Sequence, residues 1–193
     1  MQKFTIHRGY AIPLKLSNVD TDQIIPAKFC VGSSKFGHEK ALFSHWREDP
    51  QFVLNKKEHG KASILIAGDA FGIGSSREYA VWALQNYGFK VIIASGYGDI
   101  FYNNALANGL LTIILPLSFI KNLWDLIEQF PNTEVTIDLL TQKVQALHLN
   151  HLFIIDEHIR ERLLTAMDMI DCTLENIHNI IAYEKKHFKT CEK

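Results

Sequence analysis

A single α/β domain around a strand–helix–strand–helix–strand core is the fold class this sequence predicts, on three observations. Short β-branched apolar runs stand at 63–67, 90–95 and 110–115, each long enough for a strand and too short for a helix. Between them lie the helix-length stretches 78–87 and 99–108, closed by Gly88 and Gly109, residues that make a left-handed stop at little cost. Beyond residue 130, Val135, Ile137 and Leu139 alternate with polar residues, and Val144 and Leu147 resume after Leu140-Thr141, which is a hairpin pattern. Strands alternating with helices at this spacing imply parallel pairing through right-handed crossovers.

Taken in order, residues 4–12 alternate loosely and read as an edge strand ending at Pro13. In N-V-D-T-D-Q-I-I-P, at 18–26, Asp20 and Asp22 flank Thr21 and favour a turn through side-chain to backbone bonds. Residues 27–37 form a loop with two glycines and two serines, and 39–46 suit a short helix with Leu42, Phe43 and Trp46 on one side. A polar connector at 49–61 leads to the first core strand, and Asp99 is placed to cap the second core helix. Ile120, Leu123, Trp124 and Ile127 mark one face of a helix over 118–130. A strand at 151–155, a helix capped by Asp156 and running through Met169, and a helix over 174–183 complete the chain, with a frayed tail at 184–193. No repeat, linker or low-complexity segment divides residues 1–193.

Composition excludes several classes. Twenty basic against 21 acidic residues give a formal charge of −1, so nothing draws the chain to nucleic acid or an anionic membrane. No apolar run approaches the roughly 18 residues of a span, and the first residues lack a signal-peptide pattern, so a cytoplasmic location is expected. Cys30, Cys172 and Cys191 are scattered, which fits neither a disulfide framework nor an iron–sulfur site on this chain. Nine histidines, including His148 and His151, show no metal-ligand spacing, so no metal is expected here.

The chemistry concentrates in A-S-I-L-I-A-G-D-A-F-G-I-G-S-S-R-E-Y-A, from Ala62 onward. Gly68, Gly72 and Gly74 supply a tight turn, and Ser75 with Glu78 has the spacing of a capping box, placing a helix start at Ser75. A dinucleotide fingerprint fails because Arg77 stands at the third glycine, and a phosphate loop fails for want of a lysine. An ordinary strand-to-helix turn and a carboxylate site both remain. A first-turn arginine opposes the helix dipole and makes sense if it reaches an anion at that end.

The segment F-G-I-G-S-S-R-E-Y-A resembles the F-G-C-G-S-S-R-E-H-A signature of the small subunit of 3-isopropylmalate dehydratase, a branch of the aconitase superfamily. N-V-D-T-D-Q-I-I-P, G-K-A-S-I-L-I-A-G, Y-G-F-K-V-I-I-A and D-I-F-Y-N-N are similar to that family in the same order. The resemblance implies a swivelling β/β/α domain in a hydro-lyase of leucine biosynthesis, which interconverts 2-isopropylmalate and 3-isopropylmalate through isopropylmaleate. It implies a large-subunit partner that carries a [4Fe-4S] cluster, and a small dicarboxylate substrate. By the same resemblance Ser75 is the base, Arg77 holds a substrate carboxylate, and Asp22 orders the array. Thr21, Ser76 and Gly74 complete the binding site. Lys35 is the nearest match to the recognition-loop arginine, and as a point charge it cannot reproduce that residue's two-pronged contact. Ile73, Tyr79 and Val81 replace the usual Cys, His and Pro, and M-D-M-I-D at 167–171 lacks an expected glycine. Two other readings stay open: a related hydro-lyase acting on a homoaconitate- or citraconate-type acid, and a non-catalytic anion-binding paralogue.

Overall fold

The computed structural model describes residues 2–75 and 77–187. In chain order the strands and helices begin with β1 (Ile6–Pro13), β2 (Val19–Asp20), α1 (Thr21–Ile24), β3 (Ile64–Ile66), β4 (Phe71–Ile73) and α2 (Glu78–Tyr87). Next come β5 (Val91–Ala94), α3 (Asp99–Ala107), β6 (Leu111–Ile114), α4 (Leu117–Gln129), β7 (Glu134–Asp138), β8 (Lys143–Ala146) and β9 (Leu149–Leu152). Helices α5 (Glu157–Thr165), α6 (Met169–Leu174) and α7 (Ile177–His187) follow.

Seven strands form one sheet in the order β6-β5-β3-β1-β7-β8-β9. The β6, β5, β3 and β1 ladders are parallel, with Ile64 opposite Val91 and Val91 opposite Leu111. From β1 outward through β7, β8 and β9 the ladders are antiparallel. The parallel core and the hairpin are as the sequence predicts. The first strand is not an edge: β1 is the central strand, pairing with β3 on one side and β7 on the other. Its loose alternation reflects a strand whose second half, Ala11 to Pro13, is buried while its first half is partly exposed.

Successive residues of a strand face opposite sides of the sheet, and the core splits accordingly. Leu65 and Ile92 pack with α2 residues Val81 and Leu84 on one face. Ile64, Ile66, Val91 and Ile93 pack with α4 residues Ile120, Leu123 and Trp124 on the other. Trp124 is pinned there by an Nε1–H donated to the Ile66 carbonyl at 2.9 Å.

Several boundaries differ from expectation for local reasons. Residues 39–45 form turns rather than a helix, because Phe43 adopts a left-handed φ of 49° that a continuous helix does not allow. Phe43 is nevertheless fully buried and stacks on Trp46 at 5.2 Å. Gly98, not Asp99, is the N-cap of α3. The last strand is Leu149–Leu152, so His151 lies inside it and His148 in the preceding turn. Asp156 does cap α5, accepting from His158 and Ile159, but Ala166 at φ 64° ends that helix. Asp168 then restarts the chain as α6 through a capping box with Asp171. The last helix continues to His187, and the remainder of the expected frayed tail, with Cys191, lies outside the described residues.

Candidate active site

A second, two-stranded parallel sheet builds the site. β2 pairs with β4, Val19 opposite Phe71 and Asp20 opposite Ile73, across half a hundred residues of chain. β2 runs straight into α1, whose N-cap Asp20 accepts from the Gln23 amide while the Gln23 side chain accepts from the Asp20 amide. The 18–26 stretch is thus a short strand and one capped helical turn, rather than a turn alone. β4 leads through Gly74 to Ser75 and on to α2. The pairing sets Thr21 and Asp22 beside Ser75 and Arg77.

Two glycines make this approach possible. A Cβ on Gly72 would stand 2.3 Å from Phe101 Cγ, and the residue sits at φ 73°. Gly74, at φ 89°, turns the chain beside Thr21 and Asp20. Gly68 contributes closeness rather than a positive φ: its Cβ would meet Ser17 Oγ at 2.4 Å.

Thr21 is buried at 2% exposure and donates its hydroxyl to the Ser75 carbonyl at 2.7 Å. That bond anchors the backbone of Ser75 while its side chain stays at the exposed surface. The capping box expected between Ser75 and Glu78 does not form. Arg77 itself is the N-cap of α2, in extended backbone with no side-chain cap. The local S-x-x-E signal loses to the β2–β4 ladder, which fixes the chain two residues beyond where the helix would otherwise begin. Among the described residues no side chain caps the α2 N-terminus, and the first N–H groups of a helix have no partner within it.

Arg77 and Asp22 form a two-pronged ion pair. Nη2 donates to Asp22 Oδ2 at 2.7 Å, Nη1 donates to Oδ1, and Nη1 also donates to the Ile25 carbonyl at 3.3 Å. The Arg77 side chain is 18% exposed and that of Asp22 57%. The guanidinium's hydrogen bonds hold the Asp22 carboxyl below the usual carboxylate range, and Asp22 in turn raises Arg77. Cys30 sits near the pair, where burial pushes its thiol up despite the attraction of Arg77.

Ser75, Arg77, Asp22, Thr21 and Gly74 are thus brought together as one cluster. Lys35 is placed elsewhere along α2: its ammonium lies over the Trp82 ring at 5.6 Å and reaches Asn108 Oδ1 at 3.5 Å. Ser76 lies outside the described residues. Tyr79, which sequence reasoning noted only as a departure, donates its hydroxyl to the Gly32 carbonyl and so ties the 27–37 loop to α2. Among the described residues no three His, Cys, Asp or Glu side chains converge as a metal site. Among the described residues Cys30 and Cys172 are free thiols, Cys30 beside the ion pair and Cys172 on α6. Among the described residues no helix is long and apolar enough to cross a membrane.

Comparison with known proteins places this geometry in context. Residues 1–118 match the family model described as the aconitase C-terminal domain. The 3-isopropylmalate dehydratase small subunit of Thermobifida fusca is 51% identical over 186 residues, covering 96% of this chain and 95% of that relative. The protein of the same description from Streptomyces coelicolor is 50% identical over 186 residues, covering 96% and 94%. Among solved structures, 3-isopropylmalate dehydratase (leuD) from Methanocaldococcus jannaschii superposes with a TM-score of 0.64 at 26% identity, covering 93% of this chain and 99% of that one.

Proposed function

Because this chain belongs to the 3-isopropylmalate dehydratase small-subunit family, built on the aconitase C-terminal domain, we propose that its Ser75–Arg77–Asp22 cluster is the small-subunit half of that hydro-lyase's active site. The reaction is the interconversion of 2-isopropylmalate and 3-isopropylmalate by loss and return of water through isopropylmaleate. The observation that carries the reading is the two-pronged Asp22–Arg77 pair beside an exposed, backbone-anchored serine.

A guanidinium offers five N–H donors in a plane. Asp22 takes the end-on edge formed by Nη1 and Nη2, and the Ile25 carbonyl takes a further Nη1 hydrogen. The side edge, Nε–H with the second Nη2–H, is left to receive a substrate carboxylate in the same two-pronged manner. Asp22 then works as the residue that fixes Arg77 in the plane this contact requires. Ser75 removes the proton on the carbon next to that carboxylate. A free serine hydroxyl is a poor base, so the oxyanion needs the donors of the α2 N-terminus and the positive charge of Arg77. Ser76 supplies a further hydroxyl contact, Thr21 and Gly74 shape the floor, and Lys35 sits at the outer end of the recognition loop. The iron–sulfur cluster is assigned to the large subunit, in keeping with the scattered thiols of this chain, and neither subunit turns over alone. We place the assembly in the cytoplasm, free of nucleic acid and membrane.

The readings as a hydro-lyase for another 2-hydroxyacid, or as a non-catalytic paralogue, are not favoured, given relatives of one description at about half identity along nearly the whole chain. Ser75→Ala in the reconstituted two-subunit enzyme tests the assignment. Loss of a general base costs about 10²–10⁴-fold in kcat, with KM for 3-isopropylmalate little changed. Undiminished turnover would show that Ser75 is not the base.

A further inference from the structure

We propose that the cavity along the second half of α2 binds a nucleoside diphosphate, at a site separate from Ser75 and Arg77. It encloses about 700 Å³ between the start of β1, the 27–37 loop, α2 and the end of α3, a volume suited to a small organic ligand.

Charge marks the space for an anion. Lys3, Lys35, Lys90 and His7 line it, and among the described residues no aspartate or glutamate does. The chain as a whole has a formal charge of −1, so the excess is local. The Lys35 ammonium reaches Asn108 Oδ1 at 3.5 Å and the Trp82 ring at 5.6 Å, and that of Lys90 reaches Gln2 Oε1 at 3.3 Å, all neutral groups. None of the three lysines makes an ion pair among the described residues. His7 responds to this field: burial first, and then Lys90, hold its ring below the usual histidine range.

The wall carries a second mark. Trp82 is only 8% exposed, yet its indole Nε1–H has no acceptor among the described residues. A buried donor left unpaired is costly, and an anion oxygen held against this wall would satisfy it.

Residue types choose the anion. An ammonium binds phosphate as a point charge, whereas the planar fork that matches a carboxylate belongs to arginine. Among the described residues no arginine lines the cavity. Three ammoniums exceed the roughly −2 charge of one phosphate and suit a diphosphate. Phe36, on the rim and 82% exposed, offers an uncovered ring on which a nucleobase can stack. The site is independent of the base assigned at Ser75.

Calorimetric titration of the full chain with ADP, pyrophosphate, citrate and adenosine tests it. ADP is expected to saturate one site, with pyrophosphate roughly tenfold weaker for want of stacking, and citrate and adenosine weaker still. Lys3→Gln with Lys90→Gln weakens ADP by roughly tenfold. Both side chains are exposed, so the circular dichroism spectrum is unchanged, as is turnover of the reconstituted two-subunit enzyme without ADP. In nitrogen-labelled chain the indole resonance of Trp82, assigned through Trp82→Phe, moves on saturation. That of Trp124, already bonded to the Ile66 carbonyl, stays in place. Absence of ADP binding overturns the proposal, as does pyrophosphate or citrate binding as tightly as ADP. Binding indifferent to the two glutamines, or an unmoved Trp82 resonance at saturation, also overturns it. Loss of ADP binding in Ser75→Ala, or its displacement by isopropylmaleate from the reconstituted enzyme, would put the nucleotide in the Ser75 site instead.

Discussion

Asp22→Asn separates the two things the Asp22–Arg77 pair could be doing. The pair lies where the Asp22 side chain is 57% exposed, so its contribution to folding is that of a solvated ion pair, at most about 1 kcal/mol. For a chain of this length that is a fall in Tm of about 2–4 °C. Activity answers to a different quantity. Asparagine can still accept one hydrogen bond from Arg77, but its amide N–H₂ faces a guanidinium donor. One prong of the Nη1–Nη2 contact is therefore lost, and the plane of the guanidinium is no longer fixed. A charge-assisted hydrogen bond is worth about 1.5–3 kcal/mol, and misorientation of the carboxylate contact translates that into about 10- to 150-fold in kcat/KM. The assay is steady-state hydration of isopropylmaleate by the reconstituted enzyme, alongside thermal unfolding of the isolated chain. Unchanged kcat/KM would refute the orienting role. A fall of more than about 6 °C in Tm would show that the pair serves the fold instead.

Gly72→Ala is expected to unfold the region around the site. The new methyl would lie 2.3 Å from Phe101 Cγ, and the backbone holds a left-handed φ of 73°. Left-handed strain of about 1–2 kcal/mol and overpacking of about 1–3 kcal/mol lower the calorimetric Tm by roughly 5–15 °C. Stability is also expected to decline as pH falls below about 6.5. Burial, aided by Lys90, depresses His7 in the folded state while the unfolded residue keeps its ordinary affinity for the proton. The neutral ring's contribution is complete above the unfolded value and is lost as pH drops through the lower folded one. His7 also bonds Ser63 Oγ at 2.7 Å, and His7→Gln should flatten urea-denaturation midpoints between pH 7 and pH 5. A slope unaltered by His7→Gln would assign the acid sensitivity to another group.

Much of the architecture is legible because the relevant signals are long or uninterrupted. The parallel strands are continuous apolar runs, α4 has a clear apolar face, and Gly88 ends α2 in the left-handed conformation expected of it. What escapes is short or non-local. β2 and β4 have two and three residues, too few for any periodicity, yet their pairing assembles the candidate site. The S-x-x-E spacing is a local signal, and the backbone at Arg77 is decided by a ladder that begins at Val19. The resemblance supplies Ser75, Arg77 and Asp22 as a set. It does not reveal that Asp22 meets the guanidinium at its Nη1–Nη2 end while the Ile25 carbonyl takes a further Nη1 hydrogen. Lys35 is a candidate as the nearest match to the recognition-loop arginine that the resemblance implies, and the folded loop takes it to Trp82 and Asn108.

The central place of β1 imposes an order on synthesis. Of the seven strands in this sheet it leaves the ribosome before the other six, but its antiparallel neighbour, β7, is not complete until Asp138, about 125 residues later. At ordinary translation speeds that is a wait of roughly 6–25 s. Through that interval half of its ladder is unsatisfied, and the nascent chain must shield an open sheet edge that the finished molecule never displays.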